Sequence, residues 1–315
     1  MTSNVSTPLS FPSTRRAFLA GGAAMAAVPF LPKPVFAATH RFNHGAFDIS
    51  VLSDGFITLP VEIILPDAAE DQRADIMKRL GGDAKSAPFQ ANIPLIRTGN
   101  DLILVDTGSG DNFQASAGRL AGNLKAAGVD PASITKVVFT HAHPDHSGAT
   151  VTPEGRLLYP NADYFVSSAE WSFWMDPNYE ANMPSALHDF ARGAQRDLSA
   201  VRERVKLVKP GDEIVTGMRV VDTRGHTPGH ISLELAGSDP LIITGDAATS
   251  NIVFFEHPEW HFGFDTEPEI ALANRKALID RAATDKARLL GYHWAYPGLG
   301  YAERKNGAYR FVAAE

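Results

Sequence analysis

The sequence predicts an α/β (α+β) fold in which two β-sheets pack face to face with helices outside. Three observations carry this. Short β-branched runs alternate with helix-length stretches in both halves of the chain, glycine-containing dipeptides punctuate the N-terminal apolar runs, and several strand endings run directly into His or Asp.

In chain order, Ser13–Leu19 first sets Arg15 and Arg16 ahead of an apolar run from Ala17 to Leu31, and Val35-Phe36-Ala37 offers small residues for cleavage. This reads as a twin-arginine signal peptide over residues 1–37, cleaved from a single domain at 38–315. The run is shorter than the roughly 20 residues that span a bilayer and contains Gly21, Gly22 and Pro29, so no stable membrane anchor is expected. The expected address is periplasmic or secreted, with the twin-arginine translocase as an export partner. Cleavage removes three cations and no acid, which deepens the net charge from -7 to -10.

Ile49–Leu52, Asp54-Gly55 and Phe56–Leu59 read as strand, turn and strand. Ile93–Ile96, Gly99-Asn100 and Leu102–Val105 repeat the pattern. A helix is expected over Phe113–Ala127, stopped by Gly128, and Lys136–Thr140 is a short strand leading into His141. The second half repeats the theme. Strands are expected at Tyr164–Val166, Met218–Asp222, Ile231–Leu235, Leu241–Thr244 and Leu289–Tyr292, with helices near Ala169–Met175, Ser185–Val205 and Pro268–Ala283. The strand ends would then meet along one edge.

Composition narrows the chemistry. With 44% hydrophobic residues the chain is too apolar to be a disordered tail, and its acidity argues against nucleic-acid binding by bulk charge. The absence of cysteine excludes disulfide scaffolds, thiolate-held zinc and thiol nucleophiles, whereas 11 histidines leave a non-thiolate metal site open. Thr140–Gly148 carries His141, His143, Asp145 and His146 where the chain turns after a strand. His141 and His143 can converge on one point while Asp145 and His146 aim at another, which implies two divalent metal ions. His226, Asp246 and His293 lie at later strand ends or their turns.

The order H-x-H-x-D-H, then H, D and H, resembles the metallo-β-lactamase superfamily, whose fold is an αβ/βα four-layer sandwich of two mixed sheets flanked by helices. Leu104–Gly108, Arg119–Gly128, Thr140–Gly148, Tyr296-Pro297-Gly298 and Tyr309–Val312 resemble, within it, methyl parathion hydrolases and their lactonase-like relatives. The resemblance implies that His141, His143 and His226 hold a first ion, that Asp145, His146 and His293 hold a second, and that Asp246 bridges them. It also implies a metal-bridging hydroxide as nucleophile, Asp145 as proton relay, Asp106 as a partner orienting a ligand histidine, and an association that is often a homodimer. Imidazole and carboxylate donors suit Zn²⁺, and also accept Mn²⁺, Co²⁺ or Fe²⁺.

Other residues are read more plainly. His230, at the start of a strand, is expected to be structural, and His40, His44, His188, His257 and His261 to be packing or solvated histidines. Two aromatic groups, around Trp174 and around Phe255, are candidates for contact with an apolar substrate. The expected activity is hydrolysis of lactones or of aryl and carboxylic esters, with organophosphate triesters as further substrates. A glyoxalase-II-like thioesterase keeps the same ligands and stays open, as does a non-catalytic metal- or ligand-binding module. The missing cysteine together with Asp246 argues against penicillin cleavage.

Overall fold

A computed structural model describes residues 39–314; the expected signal peptide, residues 1–37, lies outside them. One seven-stranded sheet runs in spatial order β1 (His40–His44), β2 (Phe47–Pro60), β3 (Ser86–Thr98), β4 (Asp101–Val105), β5 (Lys136–Val138), β6 (Asp163–Ser167) and β7 (Val205–Val208). The other runs β14 (Ala308–Ala313), β13 (Leu299–Lys305), β12 (Arg288–Gly291), β11 (Leu241–Gly245), β10 (Ile231–Leu235), β9 (Met218–Asp222) and β8 (Glu213–Val215). Both sheets are mixed, since β4 to β7 pair in parallel, as do β11 and β12, and the remaining pairs are antiparallel.

The apolar residues show why these strands stack. Ile103 and Val105 pack with Ile231, Leu233, Ile243 and Leu290 in a core shared by both sheets. Their neighbours Leu102 and Leu104 point the other way, onto Leu124, Trp174 and Leu198. On the far side, Ile242 and Leu289 meet Phe254, Leu278 and Ile279. A period of two with both faces buried demands unbroken apolar strands, and the result is helix, sheet, sheet, helix. No helix among the described residues is long and apolar enough to cross a membrane.

Three expectations are corrected. Phe47–Pro60 is one strand, and Asp54-Gly55 forms a bulge in its pairing with β3, where Gly55 adopts φ 103°. The helix expected over Phe113–Ala127 is confined to Leu120–Ala126, because Gly118 turns the chain at φ 77° and the Asp54 carboxylate accepts the N–H groups of Ser109, Gly118 and Leu120. The stretch from Ser185 divides into a 3₁₀ turn, Ser185–Leu187, and a helix, His188–Ala200. Helices Ser168–Trp174 and Pro268–Asp285 lie close to where they were expected.

Candidate metal centre

The histidine-rich segment leaves β5 extended, and His141 and His143, two residues apart, share one side of it. Pro144 then opens a single helical turn, Pro144–Ser147, which swings Asp145 and His146 to a different bearing. Backbone and side chain of Thr107 both donate to the His146 carbonyl, and the Tyr292 hydroxyl donates to the Asp145 carbonyl at 2.6 Å, which fixes that turn. His226 follows β9, Asp246 follows β11 and His293 follows β12, so the ligand candidates gather at strand ends.

His143 Nδ1 lies 3.0 Å from both His141 Nε2 and His226 Nε2. Tetrahedral donors 2.0–2.1 Å from a zinc ion would stand roughly 3.3 Å apart. Asp145 Oδ2 lies 3.6 Å from His146 Nε2 and 3.4 Å from His293 Nε2. Asp246 reaches both groups. Its Oδ1 is 3.3 Å from His146 Nε2, and its Oδ2 is 3.3 Å from His226 Nε2 and 3.2 Å from His293 Nε2. His146 Nε2 and Asp246 Oδ1 are buried with no hydrogen-bond partner. Inward-facing lone pairs that no protein donor satisfies, on imidazole and carboxylate alone, fit a pair of divalent cations.

The two groups differ electrostatically. Burial, then the neighbouring imidazoles, hold His141 and His143 well below the usual histidine range, so both present neutral lone pairs. Burial also opposes charge on His146 and His293, but Asp246 and Asp145 outweigh it, with Asp106 adding to the effect on His146, and both are raised. Burial works against the Asp246 carboxylate, yet His293 and His146 pull it well below its ordinary value. The Asp145–His146–His293 group is therefore a place where positive charge is favoured.

Other residues orient the ligands. Asp106 follows β4 at φ 62°, a conformation Asp tolerates better than most residues. That turn aims its carboxylate at Thr140 and at His146 Nδ1, 2.8 Å away. His230 sits behind Asp246, its Nε2 accepting the Asp246 backbone N–H at 2.9 Å, while burial pushes its pKa down to about 3. His293 Nδ1 donates to the Gln90 carbonyl at 2.8 Å, and Asn92 Nδ2 holds the same turn through the carbonyls of Gly291 and Trp294.

Sequence reasoning missed two buried carboxylates. Asp265 accepts from His226 Nδ1 at 3.0 Å and from Arg275 at 2.7 Å; burial opposes its charge, but Arg275 and His226 lower its pKa overall. Glu170 spans the loops of His141–His143 and His226. No local spacing marks either residue as a partner of the ligand loops.

The family described as the Metallo-beta-lactamase superfamily matches residues 86–152, from β3 through the histidine-rich turn. AidC, a dizinc quorum-quenching lactonase solved in complex with a product, superposes with a TM-score of 0.82 at 28% identity, covering 88% of this chain and 98% of that one. The chain has the fold of the metallo-β-lactamase superfamily. AbOPH, a hydrolase in the beta lactamase superfamily, gives a TM-score of 0.81 at 28% identity, covering 90% and 99%. The N-acyl homoserine lactonase AttM of Agrobacterium fabrum is 35% identical over 136 residues, 40% of this chain. The chain spans 45% of the length of that relative.

Both expected substrate contacts, Trp174 and Phe255, are buried side chains. Trp174 is fully buried, its indole N–H donating to Glu170 and its ring edge against His143, so it packs behind a ligand. Phe255 is fully buried between Trp294 and Phe311 in the core. Phe190 keeps exposed surface beside a ligand, and it meets Phe113 and Phe264, which are also part-exposed. Phe190 lies 5.3 Å from the His143 ring, 6.2 Å from Phe113 and 6.1 Å from Phe264. They come from three separate segments, and only contact in the fold reveals them as one wall.

Proposed function

We propose that this chain is a dinuclear metal-dependent hydrolase that opens lactones, with N-acyl homoserine lactones as the first class to test and aryl or carboxylic esters and organophosphate triesters as secondary substrates. The observation that carries the reading is Asp246 in contact with both ligand groups beside a half-buried phenylalanine wall. His141, His143 and His226 would hold one ion, Asp145, His146 and His293 the other, and Asp246 both, with Zn²⁺ the favoured metal. Two such ions supply a water of lowered pKa and an electrophilic pull on a carbonyl or phosphoryl oxygen.

The chain's own groups do the rest. Phe113, Phe190 and Phe264 offer apolar surface to an acyl or aryl portion, and their half-buried placement limits water beside the reacting carbonyl. Asp145 would accept the proton of the attacking water and return it to the departing oxygen. The product names of AidC and the lactonase name of AttM support the substrate class. The Arg15-Arg16 signal supports export to the periplasm, and a homodimer is the proposed assembly.

The test is turnover by the purified metal-loaded protein on an acyl-homoserine lactone, an aryl ester, methyl paraoxon and a thioester. Preference for the lactone is expected. A thioester preferred over all others would move the reading to the glyoxalase-II-like class. Two bound ions with no turnover on any of them would leave a binding module.

A further inference from the structure

Glu170 is the third residue of the helix Ser168–Trp174, and Ser167 caps that helix by accepting the Glu170 backbone N–H at 3.1 Å. A glutamate in this place ordinarily bends back to the cap. Here it does not. Its Oε1 accepts the Ala142 backbone N–H at 2.9 Å and the Trp174 indole N–H at 2.6 Å, and its Oε2 accepts the Thr227 hydroxyl at 2.6 Å and the Gly229 backbone N–H at 3.2 Å. Ala142 stands between His141 and His143, and Thr227 follows His226. One buried carboxylate thus joins the two loops that supply the three-imidazole group.

The docking is close. A Cβ on Gly229 would lie 1.9 Å from the Glu170 nitrogen, so only glycine lets the His226 loop reach the helix, and the Ser167 hydroxyl donates to the Gly229 carbonyl at 2.6 Å. The Trp174 ring that Glu170 holds packs in turn against His143.

We propose that Glu170 is a positioning residue for the metal centre: it locks His141, His143 and His226 into a single arrangement by tying their two loops to one helix. This rests on the metal-binding reading above and concerns the ion of that group. Glu170→Gln keeps the volume but turns an amide N–H₂ toward donors that need an acceptor. The test measures metal affinity of the full protein by competition with a chromophoric chelator, the visible spectrum of the Co²⁺-loaded form, and the melting temperature of the metal-free form.

Glu170→Gln is expected to weaken one of the two metal-binding steps, that of the three-imidazole group, by about tenfold or more, within the range seen when partners of metal ligands are removed, and to alter the Co²⁺ spectrum. Wild-type affinity and an unchanged spectrum alongside a lowered melting temperature would reduce Glu170 to a packing role and overturn the proposal. If Glu170→Gln does not fold, Thr227→Val decides, because it removes one donor and leaves the carboxylate in place. A several-fold weaker ion supports the proposal, and an unchanged one overturns it. Failure of the wild-type chain to bind two ions would instead sink the hydrolase reading itself.

Discussion

Arg275→Met probes the deepest charge network in the protein. Arg275 is fully buried on helix Pro268–Asp285, with Nε donating to the Ala247 carbonyl at 3.0 Å, Nη1 to the Trp260 carbonyl at 3.1 Å and Nη2 to Asp265 at 2.7 Å, and with the guanidinium 4.1 Å from the Phe254 ring. Methionine keeps part of the stem's packing and removes the charge. Stripping one partner from a buried ion pair costs about 3–5 kcal/mol. The two carbonyls left without donors add about 1 kcal/mol each. Retained packing offsets a fraction of this, so about 5 kcal/mol is expected, or roughly 10–20 °C in the melting temperature of a chain this long. Circular dichroism on the metal-free protein would read it. Because the cost comes mainly from stranding the Asp265 carboxylate, Asp265→Asn combined with Arg275→Met should melt several degrees above Arg275→Met alone. A single variant within 2 °C of wild type (about the resolution of the method, against the shift expected), or a double variant less stable than the single, would refute the reasoning.

Asp246→Ala removes the one carboxylate that touches both ligand groups and should leave about one ion per chain, with turnover lowered by about 100-fold or more; elemental analysis showing two retained ions at full rate would contradict it. Gly245→Ala places a methyl 2.7 Å from His230 Nε2 at φ 51°, and urea unfolding should register a loss of about 2–4 kcal/mol. Acid should release the ions in order. An imidazole must be neutral to bind, so protons compete nearest neutrality where His146 and His293 are raised and only at lower pH where His141 and His143 are lowered. Metal content and the Co²⁺ spectrum followed down a pH series should therefore change in two steps, the Asp145–His146–His293 group emptying first; the reverse order would overturn the assignment.

What the sequence made legible follows from how local the signal is. The hairpin at Gly99-Asn100 appears where its dipeptide places it, because the turn and both strands lie within a dozen residues. Asp54-Gly55 carries the same kind of dipeptide, yet it forms a bulge, since the Asp54 carboxylate is committed to N–H groups 55 to 66 residues away. The missed hairpin of β13 and β14 was readable in Asn306-Gly307, where both residues adopt positive φ. The ligand candidates were legible because strand-then-histidine is a short pattern. Asp265, Glu170 and Phe190 were not, because what marks them is contact with residues distant in the chain.

The distribution of these hidden residues carries a further step of argument. The outer nitrogens of the ligand imidazoles meet partners of different strength: His146 a buried Asp106 carboxylate, His226 the Asp265 carboxylate, His293 the Gln90 carbonyl and His141 the Thr140 hydroxyl, while His143 Nε2 has no hydrogen-bond partner beside the Phe190 and Trp174 rings. A carboxylate behind an imidazole makes it a stronger donor. Each ligand group thus contains one strengthened histidine, His226 in the first and His146 in the second. The Asp265 support for His226 is itself tempered by Arg275, whose positive charge draws on the same carboxylate. Asp106 shares its carboxylate only with the neutral donors of Thr140. The stronger support therefore lies on the side where Asp145 and Asp246 already favour positive charge. The three-imidazole group depends more on fixed geometry, which is what Glu170 provides.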